Sequence, residues 1–173
     1  TTSDLLDDLE HDRRTRTAVR AADVVVVTIG ANDLAPALET WRSSDCPAGC
    51  YTPQVAAMGR RLGQVVAAVD AVHPGHHPTV LVTNYWNVFR DGDVGRRAED
   101  DGYLDWSDAV TRVADAAICR SASLGGARCV DLYTPFKGDG SGDPTSYLAD
   151  DGDHPNAAGT ALISRTVLAA LDR

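Results

Sequence analysis

The sequence lacks long apolar runs and is poor in basic residues. No apolar stretch approaches the roughly 20 residues that a membrane-spanning helix needs, so the sequence offers no transmembrane segment. Lys and Arg number 16 against 25 Asp and Glu, which gives a net charge of −9. That balance argues against nucleic acid or an anionic membrane as the main partner. Solubility is the simplest explanation of the charge.

Methionine is also scarce, since Met58 is the only one and residue 1 is Thr. We therefore expect the sequence to begin at a processed, cleaved or truncated end, with no secretion signal left to read. The 173 residues suffice to bury a real core, and we find neither an internal repeat nor a linker. These features predict a single domain over residues 1–173.

Four cysteines stand in two close pairs. Cys46 and Cys50 belong to "CPAGC", while Cys119 and Cys129 flank "RSASLGGAR". Four cysteines allow three pairings, and spacing alone does not choose among them. Nearest-neighbour pairing closes two short loops, so we predict two disulfides and an extracellular, secreted protein. The competing interpretation is a zinc site, although the spacing lacks the usual paired C-x2-C knuckles.

The periodicity of the apolar residues predicts helices and strands in alternation, which is typical of a layered α/β fold. The "VVVV" run predicts a strand buried on both faces, as in a parallel sheet covered by helices. Thr2 or Ser3 is the expected cap of the first helix, and Pro155 is expected in the first turn of the last. We predict helices at 3–20, 54–72, 103–123 and 155–171, and strands at 23–29, 79–85 and 127–133. The predicted loops are 35–53, which has room for one short helix, 90–102 and 137–146.

The first candidate site follows the first strand, at Gly30-Ala31-Asn32-Asp33. Ligands of open α/β sheets bind beyond the carboxyl ends of the strands. A glycine there allows a sharp turn, and the Asn32 amide is a suitable donor to a developing negative oxygen. The alternative is an ordinary turn, because Asn and Asp commonly bond to their own backbone in turns.

The second candidate site is "DDGDHPNAAG", residues 150–159, just before the last helix. In a turn, the three-residue spacing of Asp151 and His154 lets the carboxylate reach the imidazole. The carboxylate would then fix the tautomer and stabilise the imidazolium as His154 takes a proton. The alternative is that Asp151 or Asp153 only caps the helix and His154 is a solvated loop residue.

Together the two motifs resemble blocks III (G-x-N-D) and V (D-x-x-H-P) of the SGNH (GDSL-type) hydrolase family, in the right order along essentially the whole chain. The resemblance implies a three-layer α/β/α fold with a flavodoxin-like parallel sheet. It also implies hydrolysis of carboxylic esters with no metal and no cofactor. His154 would be the general base, Asp151 its orienting partner and Asn32 an oxyanion donor, with Gly30 shaping the turn.

The Gly-Asp-Ser block that supplies the family's nucleophile is not in the sequence, and neither is the second-block glycine. "TTSDLLDDL" resembles the stretch that follows the second block, so we expect the N-terminal strand and the nucleophile elbow to be missing. No other serine stands in a strand-to-helix elbow between small residues; those considered are Ser3, Ser43, Ser44, Ser107, Ser121, Ser123, Ser141, Ser146 and Ser164.

Two interpretations follow from the missing block. In the first, the parent protein is an esterase or lipase acting on a small-molecule, lipid or sugar ester, and activity needs the absent N-terminal segment. In the second, the chain is a catalytically inactive SGNH-like module that binds a ligand or carbohydrate. We favour the first, because an intact Asn and Asp–His pair has little reason to persist in a binding module.

Two weaker signals remain. Tyr85, Trp86 and Phe89 follow the second strand and are candidates to line a substrate pocket, with packing of the loop as an equal alternative. His73, His76 and His77 could suggest a metal, but an exposed helix-to-strand loop explains them better. "DGDVG" and "GDGSGD" do not match a calcium loop. We therefore expect no metal site.

Overall fold

The computed structural model describes residues 1–43, 46, 49–73, 75, 77–99 and 102–172. The described residues form a helix-rich α/β structure with a parallel sheet. The chain divides into two compact units. Unit 1 is Thr1–Thr83 with Ala116–Cys129, and unit 2 is Asn84–Asp115 with Val130–Arg173. In the part of the chain that is described, no helix is both long and apolar enough to cross a membrane.

Two helices replace the single helix predicted over 3–20. α1 (Thr2–His11) and α2 (Arg13–Arg20) are separated by Asp12, whose backbone is extended. The Asp12 carboxylate accepts hydrogen bonds from the Thr15 amide at 2.8 Å and from its hydroxyl at 2.7 Å, which starts a new helix. The cap of α1 is Thr1, and not Thr2 or Ser3 as expected.

The sheet has the strand order β1-β2-β3, with β1 at Val24–Val27, β2 at Thr79–Thr83 and β3 at Arg128–Val130. β1 and β2 are parallel, with Val24 opposite Thr79 and Val27 opposite Val82. The prediction that both faces of β1 are buried is wrong. Val24 and Val26 are 40% and 46% exposed, whereas Val27 is 5% exposed, so only one face of this edge strand is covered.

The core of unit 1 is built on α4 (Thr52–Ala71). Its apolar residues recur at helical spacing and are buried as predicted: Val55, Met58, Leu62, Val65, Val66 and Val69. α3 (Ala35–Arg42) precedes it, with Pro36 in its first turn, inside the segment predicted as a loop with one short helix.

α6 (Tyr103–Leu124) runs through both units and buries Val110, Ala114, Ile118 and Ala122. Two disulfides, Cys46–Cys50 and Cys119–Cys129, confirm the predicted nearest-neighbour pairing over the zinc interpretation. The second disulfide ties α6 to the short strand β3.

Unit 2 differs most from the sequence prediction. α5 (Gly92–Ala98) lies inside the predicted loop 90–102, because the Asp91 carboxylate accepts from the Gly92 amide and starts a helix. β3 ends early, and α7 (Tyr133–Lys137) follows it. α8 (Ala157–Leu171) begins two residues after Pro155, which leaves Asn156, and not the proline, at the helix start.

Candidate active site

Gly30 makes the turn that follows β1. Its φ of +132° lies in a region that favours glycine, and a Cβ there would lie 2.8 Å from Met58 Sδ. Its carbonyl accepts from the Asp33 amide at 3.0 Å, which closes a short 3-10 helix over Ala31–Leu34. The backbone at this position therefore requires glycine.

Asn32 and Asp33 lie in different surroundings within this turn. The Asp33 side chain is 3% exposed and accepts from the Thr2 amide at 2.8 Å and the Thr2 hydroxyl at 2.6 Å. It therefore anchors the start of α1, with Arg61 3.7 Å away. Asn32 is exposed, and no described residue hydrogen-bonds to its side-chain amide. Its amide is thus available to a ligand, as an oxyanion donor requires.

Asp151 and His154 form the predicted pair. Asp151 Oδ2 lies 2.7 Å from His154 Nδ1, and Asp151 Oδ1 accepts from the amides of Asp153 and His154 at 2.9 and 3.0 Å. The helix-cap part of the alternative is wrong, because the N-cap of α8 is Asn156, which accepts from the Ala158 and Gly159 amides. Its other part agrees with the structure, since His154 lies in a loop with its side chain 76% exposed. With Nδ1–H donated to Asp151, His154 keeps Nε2 as a proton acceptor.

The charges around the pair shift its titration. The backbone N–H of Asp153 and the imidazole of His154 lower the pKa of Asp151 to about 2. The Asp151 hydrogen bond, followed by the nearby Asp153 carboxylate, raises the pKa of His154. Burial in turn raises the pKa of Asp153. A carboxylate that stays ionised beside a strengthened base is the arrangement that stabilises an imidazolium.

The loop that carries Asp151 and His154 is fixed by hydrogen bonds and by close packing within unit 2. The Gly152 carbonyl accepts from the Asp91 amide at 2.8 Å, and a Cβ on Gly152 would collide with Val94. The His154 carbonyl accepts from the Ala149 amide at 2.8 Å. Trp86 Nε1 donates to the Asp153 carbonyl at 3.3 Å. These contacts fix the backbone on both sides of the imidazole.

The three aromatic pocket candidates are buried in unit 2. Trp86 stacks on Phe136 with ring centroids 4.8 Å apart, and Phe89 stacks on Trp106 at 5.3 Å. Tyr85 N–H donates to Asp115 at 3.0 Å. These contacts support the packing alternative, and a role in lining a substrate pocket stays a prediction.

Five of the candidate serines have hydroxyls that donate hydrogen bonds within the protein. Ser107 is fully buried and donates to Asn87, Ser121 donates to the Gly59 carbonyl, and Ser141 donates to Asp139. Ser43 and Ser164 donate to backbone carbonyls within or at the end of helices. Ser44 lies outside the described residues.

The described histidines of the histidine-rich segment, His73 and His77, contact different partners. His73 is buried and not exposed as expected, with Nδ1 2.8 Å from the Val69 carbonyl. His77 Nδ1 lies 2.8 Å from Asp70 Oδ1, and His76 lies outside the described residues. Among the residues that could be searched, no group of three or more His, Cys, Asp or Glu could hold a metal ion.

Sequence reasoning missed three buried Lys and Asp side chains in unit 2, those of Lys137, Asp91 and Asp115. Lys137 is the only lysine, and its Nζ donates to Asp91 at 2.9 Å and to Asp108 at 2.8 Å. Asp115 accepts from Tyr85, and burial raises its pKa to about 8. A lysine in "TPFKGDG", between an apolar run and a turn, gave no sign of burial.

Asn32 belongs to unit 1, and the Asp151–His154 pair belongs to unit 2. Convergence of these side chains on a common site at the edge of the sheet stays a prediction from the family resemblance.

Comparison with known proteins gives a family match. A profile of the GDSL-like lipase/acylhydrolase family matches residues 1–162. A search of curated protein sequences found no significant match.

Solved structures of similar fold include three enzymes. The lipase Lip_vut3 from a goat rumen metagenome has a TM-score of 0.76 at 19% identity, over 98% of this chain and 73% of its own. A variant of Axe2, an acetyl-xylooligosaccharide esterase from Geobacillus, has a TM-score of 0.63 at 20% identity, over 98% and 66%. Phospholipase A1 from Streptomyces albidoflavus has a TM-score of 0.59 at 18% identity, over 98% and 75%. These likenesses show a shared fold, and the chain spans two thirds to three quarters of each neighbour's length.

Proposed function

Because the chain belongs to the GDSL-like lipase/acylhydrolase family, we propose that it is the greater part of a carboxylic ester hydrolase. The observation that carries the proposal is the 2.7 Å contact between Asp151 and His154 Nδ1, which leaves Nε2 as a base. The substrate class is a small-molecule, lipid or sugar ester. The two disulfides suit an extracellular enzyme.

In the proposed reaction a serine oxygen attacks the ester carbonyl carbon while His154 Nε2 takes the serine proton. The carbonyl oxygen becomes negative, and the Asn32 amide donates to it. His154 then gives its proton to the departing alcohol, which leaves an acyl-serine. Water then attacks the acyl-serine with His154 again as base. The carboxylic acid is released, and the serine hydroxyl is regenerated.

The nucleophile is the part of the proposal that the sequence does not contain. In the family it is the serine of Gly-Asp-Ser, and this tripeptide is absent here. We assign it to an N-terminal segment of the same protein. No cofactor is needed for this chemistry, since His154 and Asn32 supply the base and the oxyanion donor.

The first experiment incubates the 173-residue chain with p-nitrophenyl acetate and with a fluorophosphonate. We expect neither turnover nor labelling. Labelling, or turnover that the fluorophosphonate abolishes, would place the nucleophile on a serine of this chain and would contradict its assignment to another segment.

The second experiment uses the protein expressed with its upstream coding sequence. We expect a Gly-Asp-Ser there, ester turnover, and loss of turnover in His154→Ala with an unchanged circular dichroism spectrum. Asn32→Ala should lower kcat by about a hundredfold to a thousandfold, as loss of one oxyanion donor does elsewhere. Near-normal hydrolysis by folded His154→Ala would remove His154 from the mechanism.

The absence of Gly-Asp-Ser favours one alternative, an inactive SGNH-like module that binds a ligand or carbohydrate. An upstream sequence without Gly-Asp-Ser, together with no hydrolysis and with binding of an acetylated oligosaccharide, would support this alternative over the esterase.

A further inference from the structure

We propose that Lys137 is a positioning residue that holds the His154 loop in place through Asp91. The proposal rests on the proposed function, because it assigns Lys137 a part in that reaction. Lys137 touches neither His154 nor Asp151 directly. It acts through a short chain of polar contacts within unit 2.

The first link is a buried ion pair. The Lys137 side chain is 5% exposed, and its Nζ lies 2.9 Å from Asp91 Oδ2 and 2.8 Å from Asp108 Oδ1. A buried ammonium is costly unless opposite charges and hydrogen bonds compensate it, and here two carboxylates do so. Asp91 is equally buried, with a side chain 6% exposed. Among the described residues Lys137 is the only cation paired with Asp91, whereas Lys137 has a second carboxylate partner in Asp108.

The second link is the backbone of Asp91. Its Oδ1 accepts from the Gly92 amide at 2.7 Å, while its own amide donates to the Gly152 carbonyl at 2.8 Å. Lys137 fixes the Asp91 side chain, the side chain fixes the start of α5, and the amide of the same residue holds Gly152. Gly152 is the residue next to Asp151, so the chain of contacts ends at the catalytic pair.

Asp108 belongs to a different branch of the cluster. It also accepts from the Tyr133 hydroxyl at 2.6 Å and from Arg112 Nε at 2.7 Å. Burial alone would raise the pKa of Asp108, but the hydrogen bonds from Lys137, Tyr133 and Arg112 outweigh it and lower that pKa. Asp108 therefore keeps two donors without Lys137, whereas Asp91 loses its only cation among the described residues.

A merely structural ion pair would predict something different. Apolar residues often replace buried pairs with little loss of stability, and such a role would spread any effect of a substitution over the whole unit. A positioning role predicts that the effect of Lys137→Met is concentrated at Asp91 and at residues 152–154. It also predicts rescue when the charge left on Asp91 is removed.

The experiment measures amide hydrogen exchange by NMR in the 173-residue protein. In Lys137→Met we expect the Asp91 amide to exchange at least about tenfold faster, with shifted resonances for Gly152, Asp153 and His154. The double variant Lys137→Met/Asp91→Asn should restore both, because asparagine keeps the backbone N–H and an Oδ1 acceptor while no buried charge is left unpaired. Arg112→Met is the matched control, since it removes a cation from Asp108 and should leave the Asp91 amide unchanged.

Unchanged exchange at Asp91 in folded Lys137→Met, or an equal change in Arg112→Met, would overturn the proposal. Where Lys137→Met does not fold, Lys137→Gln takes its place, since glutamine keeps an N–H donor without the charge. Its expected change has the same direction, and unchanged exchange would overturn the proposal equally.

Hydrolysis separates this proposal from the proposed function. In an ester-hydrolysing form of the protein, Lys137→Met should lower kcat by about tenfold to a hundredfold with KM within twofold, because a displaced base acts after binding. A protein that shows the exchange effects and never hydrolyses esters would contradict the proposed function while leaving Lys137 as the anchor of the loop. Normal kcat with altered exchange would overturn the positioning role.

Discussion

The two ring nitrogens of His154 have different roles in the proposed proton transfer. The Asp151 carboxylate takes Nδ1 at 2.7 Å, and Nε2 is left to accept a proton. Because the pKa of His154 is raised, the imidazole stays protonated to a higher pH than a free histidine, and a general base must be neutral to act. The acid limb of activity should therefore lie above the ordinary histidine value of 6.5.

We predict that Asp151→Asn lowers the pKa of His154 toward its ordinary value. Asparagine keeps an acceptor for Nδ1–H but carries no charge to favour the imidazolium. An NMR titration of the His154 ring measures this, and the acid limb of kcat/KM in an active form should move to lower pH with it. Asp150→Asn is the control, because it removes a neighbouring charge without touching the imidazole. An equal shift in both variants would contradict the assignment of Asp151.

The stabilisation that the Asp151–His154 pair provides is lost at both ends of the pH range. The stabilisation that comes from the raised His154 pKa is complete below the unfolded value and is lost as the pH rises through the folded value. The stabilisation that comes from Asp151 is complete above its unfolded value of 3.8 and is lost as the pH falls toward about 2.

At the scale of elements, Asp115 connects helix α6 to the segment after β2. Its Oδ1 accepts from the Tyr85 amide, and no described residue bonds to its Oδ2. Burial raises the Asp115 pKa to about 8, with the Asp131 and Asp108 charges adding to the rise and Arg112 opposing it. The unfolded carboxyl ionises near 3.8, so between these two values the unfolded state binds fewer protons and stability falls as pH rises.

We predict that Asp115→Asn removes this pH dependence. Asparagine keeps the acceptor for Tyr85 N–H, and it does not ionise. Urea unfolding should show that, between pH 5 and 8, the free energy of unfolding of the variant rises relative to that of the parent protein. The expected rise is up to about 1.4 kcal/mol per pH unit. Asp105→Asn, an exposed change on the same helix, should show no such gain. A constant difference between Asp115→Asn and the parent over this range would contradict the shifted pKa.

The elements also show what the sequence could and could not predict. α4 and α6 were predicted to within a few residues, because long amphipathic spacing dominates local detail. α5 and the break at Asp12 were missed, because a single carboxylate accepting a backbone N–H starts a helix that the apolar pattern does not reveal.

In the site, contacts between residues close in sequence could be predicted, and contacts between distant residues could not. Asp151 and His154 are three residues apart, so their contact is local and could be foreseen. Lys137–Asp91 and Asp115–Tyr85 join residues 46 and 30 positions apart, and only the fold brings them together. No spacing along the chain indicates such pairs.

At the scale of the whole molecule, an exposed apolar face distinguishes the sheet. Val24 and Val26 lie on the uncovered side of β1, at the edge of the strand order. The alternation of helical and strand patterns predicted the α/β class correctly, but the run of valines did not show which face of the strand is covered. Burial of a strand depends on the elements that pack over it, and the amino-acid sequence of the strand alone does not specify them.

We predict that the 173-residue protein binds the dye ANS through this face. Val24→Thr with Val26→Thr should reduce ANS fluorescence without lowering Tm by more than a few degrees, since threonine suits a strand and the side chains are exposed. Val113→Thr is the control, because Val113 is comparably exposed but lies on a helix. Equal fluorescence in the double variant and the parent would show that the dye binds elsewhere.

The glycines around His154 bear on how mutational scans of this segment should be interpreted. Any side chain at Gly152 would meet Val94, and any at Gly159 would meet the Tyr147 backbone. A library screened for lost hydrolysis would score both positions as essential, although neither handles a proton. Only a parallel screen for folded protein would tell the two glycines apart from the histidine between them.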